Sequence, residues 1–425
     1  MTRPARRIDR TDWMRAEDTR VLFEALEAAG GSVRFVGGCV RDALLGRIVS
    51  DIDVATDIVP EKVVEVLEAR GIRAVPTGIE HGTVTAIPDE RPFQVTTLRH
   101  DVETDGRRAV VSYTRDWAED AKRRDFTMNA LSADREGNVF DYTDGIADLE
   151  AGRVRFIGDA GDRIREDYLR ILRFFRFQAS YGRTEPDPDA LDACRAFVAN
   201  VETLSGERVW AELSRLIVVD DPTAVLRMME RTGALPRLFP VRRKIDRLQA
   251  LAGLEAMYRL GTDPVRRLAA LLDARRKEAS QVAARLRLSR IDTDRLASLL
   301  TGIGESAPDM DEQALRRALY HVRGPHFRDL TLLGWAEDIA RDRARATASA
   351  EGWNRTLQAA LEWQQPELPV GGRDALDLGV PEGPAVGEMI AEIESWWVEQ
   401  AFRPEREACL DRLRLLARRR GYRPG

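Results

Sequence analysis

The sequence is poor in the residue types that would place it among disulfide-stapled, zinc-stapled or membrane proteins. Its 425 residues include three cysteines, Cys39, Cys194 and Cys409, too few and too scattered for a disulfide scaffold, so a reducing compartment is expected. Four histidines, His81, His100, His321 and His326, form no HxxxH pair and no metal-dependent phosphohydrolase spacing, and without paired cysteines they give no structural zinc signature. No GxSxG elbow is present, which excludes the common hydrolase pattern. Neither a GxGxxG fingerprint nor the GK[ST] of a P-loop occurs. No run approaches the ~20 apolar residues of a membrane span. The basic start MTRPARRIDR leads into TDWMRAEDTR without an apolar segment, so secretion is not expected and a cytoplasmic location is.

The chain does carry charge and core in quantity. Charged residues are 32% and hydrophobic residues 44%, with a formal net charge of -5. That balance argues against indiscriminate nucleic-acid binding while allowing a local basic groove. The length suggests two to four domains.

The stretch FVGGCVRDALLGRIVSDIDVAT, residues 35–56, concentrates the first chemistry. VRFVG (33–37) has the composition of a short buried strand, and Gly37-Gly38 before VRDALLG predicts a sharp turn into a helix. At that turn the absence of a Cβ on either Gly37 or Gly38 lets phosphate or metal-bound oxygens approach the backbone. Arg41, one turn into the helix, can reach phosphate oxygens. Alternate residues of a strand share a face, so Asp51 and Asp53 are expected side by side, with Ile52 and Val54 anchored in the core. Two adjacent carboxylates repel, and a hard divalent cation relieves the repulsion while also taking phosphate oxygens. Such a pair is the apparatus of in-line phosphoryl transfer. DxD and GG taken singly also fit an exposed strand end and a tight junction.

Further along, residues 17–30 have amphipathic helical spacing. PEKVVEVLEAR starts on Pro60 and stops before Gly71 as a helix should. IRAVPTG, HGTVTAIP and PFQVTTLR have strand character, separated by turn residues. VETDGRRAVVSYTRDWAEDAKR is expected to be an exposed, charged connection, in part a flap. Together these predict a compact α+β head with a small mixed or antiparallel sheet, unlike a doubly wound fold. From about residue 160 onward the apolar positions recur at helical spacing. GIGESAPDM (302–310), the RGP ending at Pro325 and QPELPVGGRDALDLGVPEGP interrupt it, the last expected to be an ordered loop before a final helix, AVGEMIAEIESWWVEQ.

AKRRDFTMNAL (121–131) sets Arg123 and Arg124 beside Asp125, with Phe126, Met128 and Leu131 as anchors. Arginines here can clamp a triphosphate, and Asp125 can fix an arginine or a ribose hydroxyl. RIREDYLRILRFFRF (163–177), as one helix, would bring Asp167, Arg170, Ile171 and Phe174 close at i+3 and i+4 steps. Arg170, Arg173 and Arg176 would form a cationic stripe opposite Leu169, Leu172 and Phe175. A salt-bridged amphipathic helix accounts for the same pattern.

GGxxRD, DID, RRD and EDxxR, in this order, resemble the motifs of the bacterial class II tRNA nucleotidyltransferase and poly(A) polymerase family. The likeness runs over nearly the whole chain and is densest at 33–57, 121–177 and 371–397. It implies a nucleotidyltransferase head (17–150), a helical neck with a nucleobase-selecting helix (151–225), a helical body (226–345) and a helical tail that binds tRNA (346–425). It implies addition of the 3′-terminal CCA to tRNA from CTP and ATP, with Mg²⁺ at Asp51 and Asp53. A-only addition, poly(A) synthesis and a weakly catalytic RNA-binding protein that retained the fold are the alternatives. By the resemblance, Asp167 and Arg170 read the Watson–Crick edge of the incoming base, Glu166 orients them, and Arg124, Arg173 and Arg176 contact the nucleotide. A carboxylate accepting from the exocyclic amine of adenine or cytosine, with a guanidinium donating to the ring, excludes uracil and guanine. No obligate protein partner and no membrane are implied.

Two positions depart from the family pattern. Gln94 in PFQVTTLR stands where relatives often carry Glu. In DYTDGIADL, Gly145, Asp148 and Leu149 fit, but Asp144 takes the first place of a glycine pair, which predicts a stiffer turn. ETLSGERVWAELSRL resembles a neck motif around Arg208 and Glu212, which implies bracing of the neck; a salt bridge within the helix explains the pair nearly as well. The basic runs VRRK (241–244), ARRK (274–277) and LARRRGYR (416–423) are candidates for phosphate contacts with tRNA.

Overall fold

The computed structural model describes residues 3–9, 11–105 and 108–422. Arg10, Gly106, Arg107 and Arg423 of the charged stretches named above lie outside the described residues. The chain divides into two compact units, Met1–Pro240 and Val241–Gly425.

The first unit is built on an eight-stranded mixed sheet. Its strands are β1 (Arg6–Arg7), β2 (Val33–Val36), β3 (Asp53–Thr56), β4 (Arg73–Gly78), β5 (Thr83–Ile87), β6 (Phe93–Thr97), β9 (Ser132–Ala133) and β10 (Asn138–Phe140), in the spatial order β1-β10-β9-β2-β3-β6-β5-β4. Only the central β3–β6 pair is parallel; the other pairs are antiparallel. This is the small mixed sheet expected from hairpin-linked strands. β1 adds an edge ahead of residue 17. The charged connection after residue 98 forms a separate two-stranded ladder, β7 (Arg99–Asp105) with β8 (Arg108–Tyr113), where a charged connection without strands, in part a flap, was expected.

Helices cover the sheet and then take over the chain. After the single turn α1 (Asp12–Arg15), helix α2 (Glu17–Ala28) buries Leu22, Phe23, Ala25 and Leu26. Each large apolar side chain so buried contributes roughly 1.5–3 kcal/mol before ordering costs. α3 (Gly38–Leu44), α4 (Pro60–Ala69), α5 (Trp117–Lys122) and α6 (Gly145–Ala151) follow the strands, then α7 (Ala160–Glu166), α8 (Leu169–Tyr181), α9 (Pro188–Phe197), α10 (Gly206–Ile217), α11 (Thr223–Thr232) and α12 (Ala234–Leu238).

The second unit is helical apart from a two-residue ladder, Arg242–Arg243 with Leu272–Asp273. In it, Arg266 and Arg267 are fully buried and share Glu255, while Arg266 also reaches Asp329. Such a buried network is costly to break by removing one member. The Pro/Gly-rich stretch near 365–384 contains a short helix, Gly372–Asp377, where an ordered loop was expected. The helix Pro384–Glu399 is not the last: Arg406–Arg419 follows and contributes Cys409, Leu413 and Leu416 to a core with Met389, Ile393 and Trp397. The dense charge of REACLDRLRLLARR masked its apolar stripe. No described helix is long and apolar enough to cross a membrane.

Candidate active site

The strand-to-helix turn forms as its glycines require. Gly37 has φ +71°, and a Cβ there would lie 3.3 Å from Nη1 of Arg124. A side chain at this position would therefore strain the backbone and crowd that guanidinium. Asp51 precedes the β3 ladder, which begins at Asp53, so the expected strand is two residues shorter at this end. Ile52 and Val54 are nonetheless buried, at 5% and 0% exposure, and both carboxylates line the same cavity.

That cavity has a volume of about 510 Å³ and brings together Gly38, Arg41, Asp51, Asp53, Arg124, Asp167, Arg170, Arg173 and Arg176. Every residue singled out from sequence for metal or nucleotide contact is thus on one wall or another of a single space. The lining as a whole holds eight arginines against five aspartates, a surplus suited to a polyanion.

Asp51 and Asp53 stand apart from the other acids of the lining. Desolvation raises the Asp53 carboxyl above its ordinary range; Arg124 opposes the shift and the Asp51 charge adds to it. The carboxylate is open to solvent by surface area, yet crowded by protein on its other sides. Among the described residues neither carboxylate has an ion-pair partner, while Asp42, Asp125 and Asp167 each do. A like-charged, unneutralised pair of hard oxygen donors fits a divalent cation that draws its remaining ligands from phosphate and water. No group of three or more His, Cys, Asp or Glu residues suited to a metal occurs among the described residues. Gln94 is the register partner of Asp53 across the parallel β3–β6 pair, but its side-chain amide is hydrogen-bonded to the Thr85 hydroxyl, with Nε2 donating at 3.1 Å. Cys39 also lines the cavity. Burial pushes its thiol up to about 12, so it stays protonated and is no nucleophile.

The arginines are held by acids behind them. Asp120, 3% exposed, accepts from Nε of Arg123 at 2.8 Å and from Nη2 of Arg124 at 3.0 Å. Burial alone would raise Asp120, but Arg124 and Arg123 outweigh it and hold the carboxyl below its usual range. Asp125 is likewise buried and held low, because the Arg173 charge and the Asn129 amide overcome desolvation. Of the two roles open to Asp125 in the sequence, it takes the first and fixes an arginine. Glu212 accepts from Arg173 and Arg176. Arg41 is 7% exposed, with Nη1 donating to Asn129 at 2.6 Å, Nη2 to Asp42 at 2.8 Å, and its plane 4.3 Å from the Tyr181 ring.

The segment 163–177 is not one helix. α7 ends at Glu166, Asp167 is extended (φ -157°, ψ 107°), and α8 starts at Leu169. Asp167 makes the break itself, accepting from the Leu169 N–H at 3.1 Å in the manner of a residue that opens a new helix. Its other oxygen accepts from Arg208 at 2.6 Å. Arg170 donates to Glu166 and to the Arg163 carbonyl, which gives Glu166 an orienting contact. Leu169, Leu172 and Phe175 are buried as expected, but so are Ile171, Phe174 and Phe177, leaving only the arginine stripe partly open. Arg208 and Glu212 pair not with each other, as the helix salt-bridge alternative had it, but with Asp167 and with Arg173 and Arg176. Asp144 adopts φ +62° just before α6, a conformation that favours glycine.

Sequence reasoning passed over Asp120, Asn129 and Arg215. Asp120 lies three and four residues before Arg123 and Arg124, a helical spacing that could have revealed it. Asn129 lies four after Asp125. Arg215 gave no signal beyond its place on α10.

Comparison with known proteins places this geometry. Residues 33–155 match the poly A polymerase head domain, and residues 185–244 match a probable RNA and SrmB-binding site of polymerase A. The mitochondrial CCA tRNA nucleotidyltransferase 1 of Danio rerio is 33% identical over 92% of this chain and 89% of its own length. The CCA-adding enzyme of Streptococcus gordonii is 32% identical over 88% and 90%. The crystal structure of the Bacillus stearothermophilus CCA-adding enzyme in complex with CTP superposes with a TM-score of 0.68 at 25% identity, over 96% of this chain and 99% of that one. The Thermotoga maritima CCA-adding enzyme complexed with tRNA shares the fold, with a TM-score of 0.64 at 20% identity. Matched at this identity over nearly its full length, the chain belongs to the CCA-adding tRNA nucleotidyltransferase family.

Proposed function

We propose that this protein completes the 3′ end of tRNA with CCA, without a nucleic-acid template, using CTP and ATP and releasing pyrophosphate. The observation that carries the reading is the meeting of Asp51 and Asp53, which have no ion-pair partner among the described residues, with Asp167 and Arg170 on one arginine-rich cavity. The 3′-hydroxyl oxygen of the tRNA forms a bond to the α-phosphorus of the nucleotide. The bond from that phosphorus to the β-bridging oxygen breaks, and the hydroxyl proton is lost to solvent. Asp51 and Asp53 would hold Mg²⁺, which supplies charge neutralisation at the triphosphate and a lowered pKa for the attacking hydroxyl. Arg124, steadied by Asp120, binds the triphosphate. Asp167 accepts from the exocyclic amine and Arg170 donates to the ring, with Arg208 and Glu166 fixing the two side chains. Each Asp167 oxygen already accepts one hydrogen bond and has a lone pair left for the base. Arg173 and Arg176, set by Asp125 and Glu212, add positive charge to the nucleotide site.

For the tRNA body, the exposed Arg275, Arg276 and Lys277 and the exposed Arg418 and Arg419 are the candidate phosphate contacts. Lys244 and Arg420 are poorer candidates, being engaged with Glu337 and with Glu388 and Glu392. Three buried free thiols suit the reducing cytoplasm, where we place the activity. The deciding assay supplies tRNA ending at the discriminator base with CTP, with ATP, and with both. Two cytidines from CTP alone and a completed CCA from the mixture are expected. Long adenosine runs, or addition of A without prior C, would overturn the reading.

A further inference from the structure

A second cavity of the first unit, about 420 Å³, shares no lining residue with the first. Its wall carries Lys122, Arg155 and Arg163, with Tyr142 and Thr143, over the ring of Phe156, and contains no carboxylate. The three cations are only partly used. Arg155 spends Nε on Asp148, and Arg163 spends Nη2 on Glu166 at 3.0 Å. Nε of Arg163 is buried without a hydrogen-bond partner. Lys122 is exposed and has no ion-pair partner among the described residues. The Tyr142 hydroxyl accepts from Arg34 at 3.1 Å, which leaves its own hydrogen to donate. Three cationic side chains and a hydroxyl lining a space with no acid in its wall suit a tetrahedral oxyanion.

We propose that this cavity is a second, non-catalytic site for a phosphate group, supplied either as free phosphate or by the backbone of a bound RNA. It is separate from the reacting atoms but physically linked to the first cavity. Glu166 is shared between Arg163 and Arg170, so an anion that draws on Arg163 alters the hold on Arg170 in the first cavity.

Calorimetric titration with inorganic phosphate tests the site, with the first cavity saturated by a CTP analogue carrying a methylene bridge between the α- and β-phosphorus. One phosphate per chain is expected to bind, about tenfold more weakly after Lys122→Ala, the effect of losing one charge-assisted hydrogen bond. Lys122 is exposed, so the variant is expected to fold, and thermal unfolding checks this. In parallel, tRNA affinity is measured against salt for the starting protein and Lys122→Glu. Loss of phosphate binding with tRNA affinity unchanged assigns free phosphate. A weaker tRNA complex, with a salt slope reduced by about 0.7–0.9 for one lost contact, assigns an RNA phosphate. Phosphate binding indifferent to both substitutions, or absent, together with unchanged tRNA affinity and slope, overturns the proposal.

Discussion

Asp167 is the residue at which base choice and folding can be separated by substitution. Its carboxylate has two structural duties, accepting from Leu169 N–H and from Arg208, and one assigned duty toward the base. Asp167→Ala removes all three. Losing the acceptor that opens α8 costs about 0.5–2 kcal/mol of stability. The Arg208 pairing adds at most about 1 kcal/mol, because both side chains are roughly a quarter to a third exposed and solvent screens them. The base contact is a charge-assisted hydrogen bond worth about 1.5–3 kcal/mol, so kcat/KM for CTP and ATP should fall about 10- to 150-fold. The loss for GTP and UTP should be far smaller, compressing selectivity. Asp167→Asn is the sharper probe. Its Oδ1 can still accept from Leu169, so the helix-opening contact returns while the Arg208 one does not, and its Nδ2 can donate to the carbonyl that uracil and guanine present in place of an amine. Relative use of UTP and GTP should therefore rise above that of the Ala variant. The assay is kcat/KM for the four nucleotides on tRNA lacking CCA, with unfolding measured on the same samples. A folded Asp167→Asn or Asp167→Ala protein with unaltered selectivity would refute the base-reading assignment.

Asp51→Ala and Asp53→Ala should each reduce transfer by at least a thousandfold while leaving the tRNA dissociation constant within about threefold, since phosphate contacts elsewhere carry most RNA affinity; near-normal turnover in either variant removes the pair from the reaction. Gln94→Glu should lower the Mg²⁺ concentration needed for half-maximal rate and give no gain at saturating Mg²⁺, and superimposable titrations would put position 94 outside the cation's surroundings. Asp125→Asn should destabilise the protein at neutral pH by about 3 kcal/mol, as expected when a buried ion pair loses one member. Because Asp120 and Asp125 have folded pKa values below those of the unfolded chain, their contribution is complete above the unfolded value near ~3.9 and is lost as pH falls through the folded ones. The stability gap between the starting protein and Asp125→Asn should therefore shrink in that acid window, which thermal unfolding across pH will show.

Local periodicity made the wall of the site legible, and long-range pairing hid its scaffolding. Two carboxylates one residue apart around a buried isoleucine could only lie together, and Gly37 before a helical run could only be a turn. Arginines at 170, 173 and 176 had to share a stripe. None of these inferences needs to know what lies across the fold. The errors fall where it does matter. Asp167 breaks its helix because its side chain competes for the Leu169 N–H, and an i+3/i+4 count cannot see that competition. Arg208 and Glu212 satisfy the best local salt-bridge spacing, yet each finds a partner on α8 or just before it, 36 to 41 residues away in sequence. The pairing is favoured because Glu212 is 5% exposed: a buried carboxylate needs more than one donor, and Arg173 and Arg176 together supply two. Gln94 shows the same limit in a strand. Its sequence neighbours do not say what it stands beside; the parallel register sets it next to Asp53 on the same face. The direction of its amide is set by Thr85 on the neighbouring antiparallel strand, a contact that exists only once β5 and β6 have paired. A carboxylate at position 94 would accept from that same hydroxyl with one oxygen and leave the second oxygen's lone pairs for a cation. The cation dependence of Gln94→Glu therefore reads the geometry of the β3–β6 pair as well as its charge.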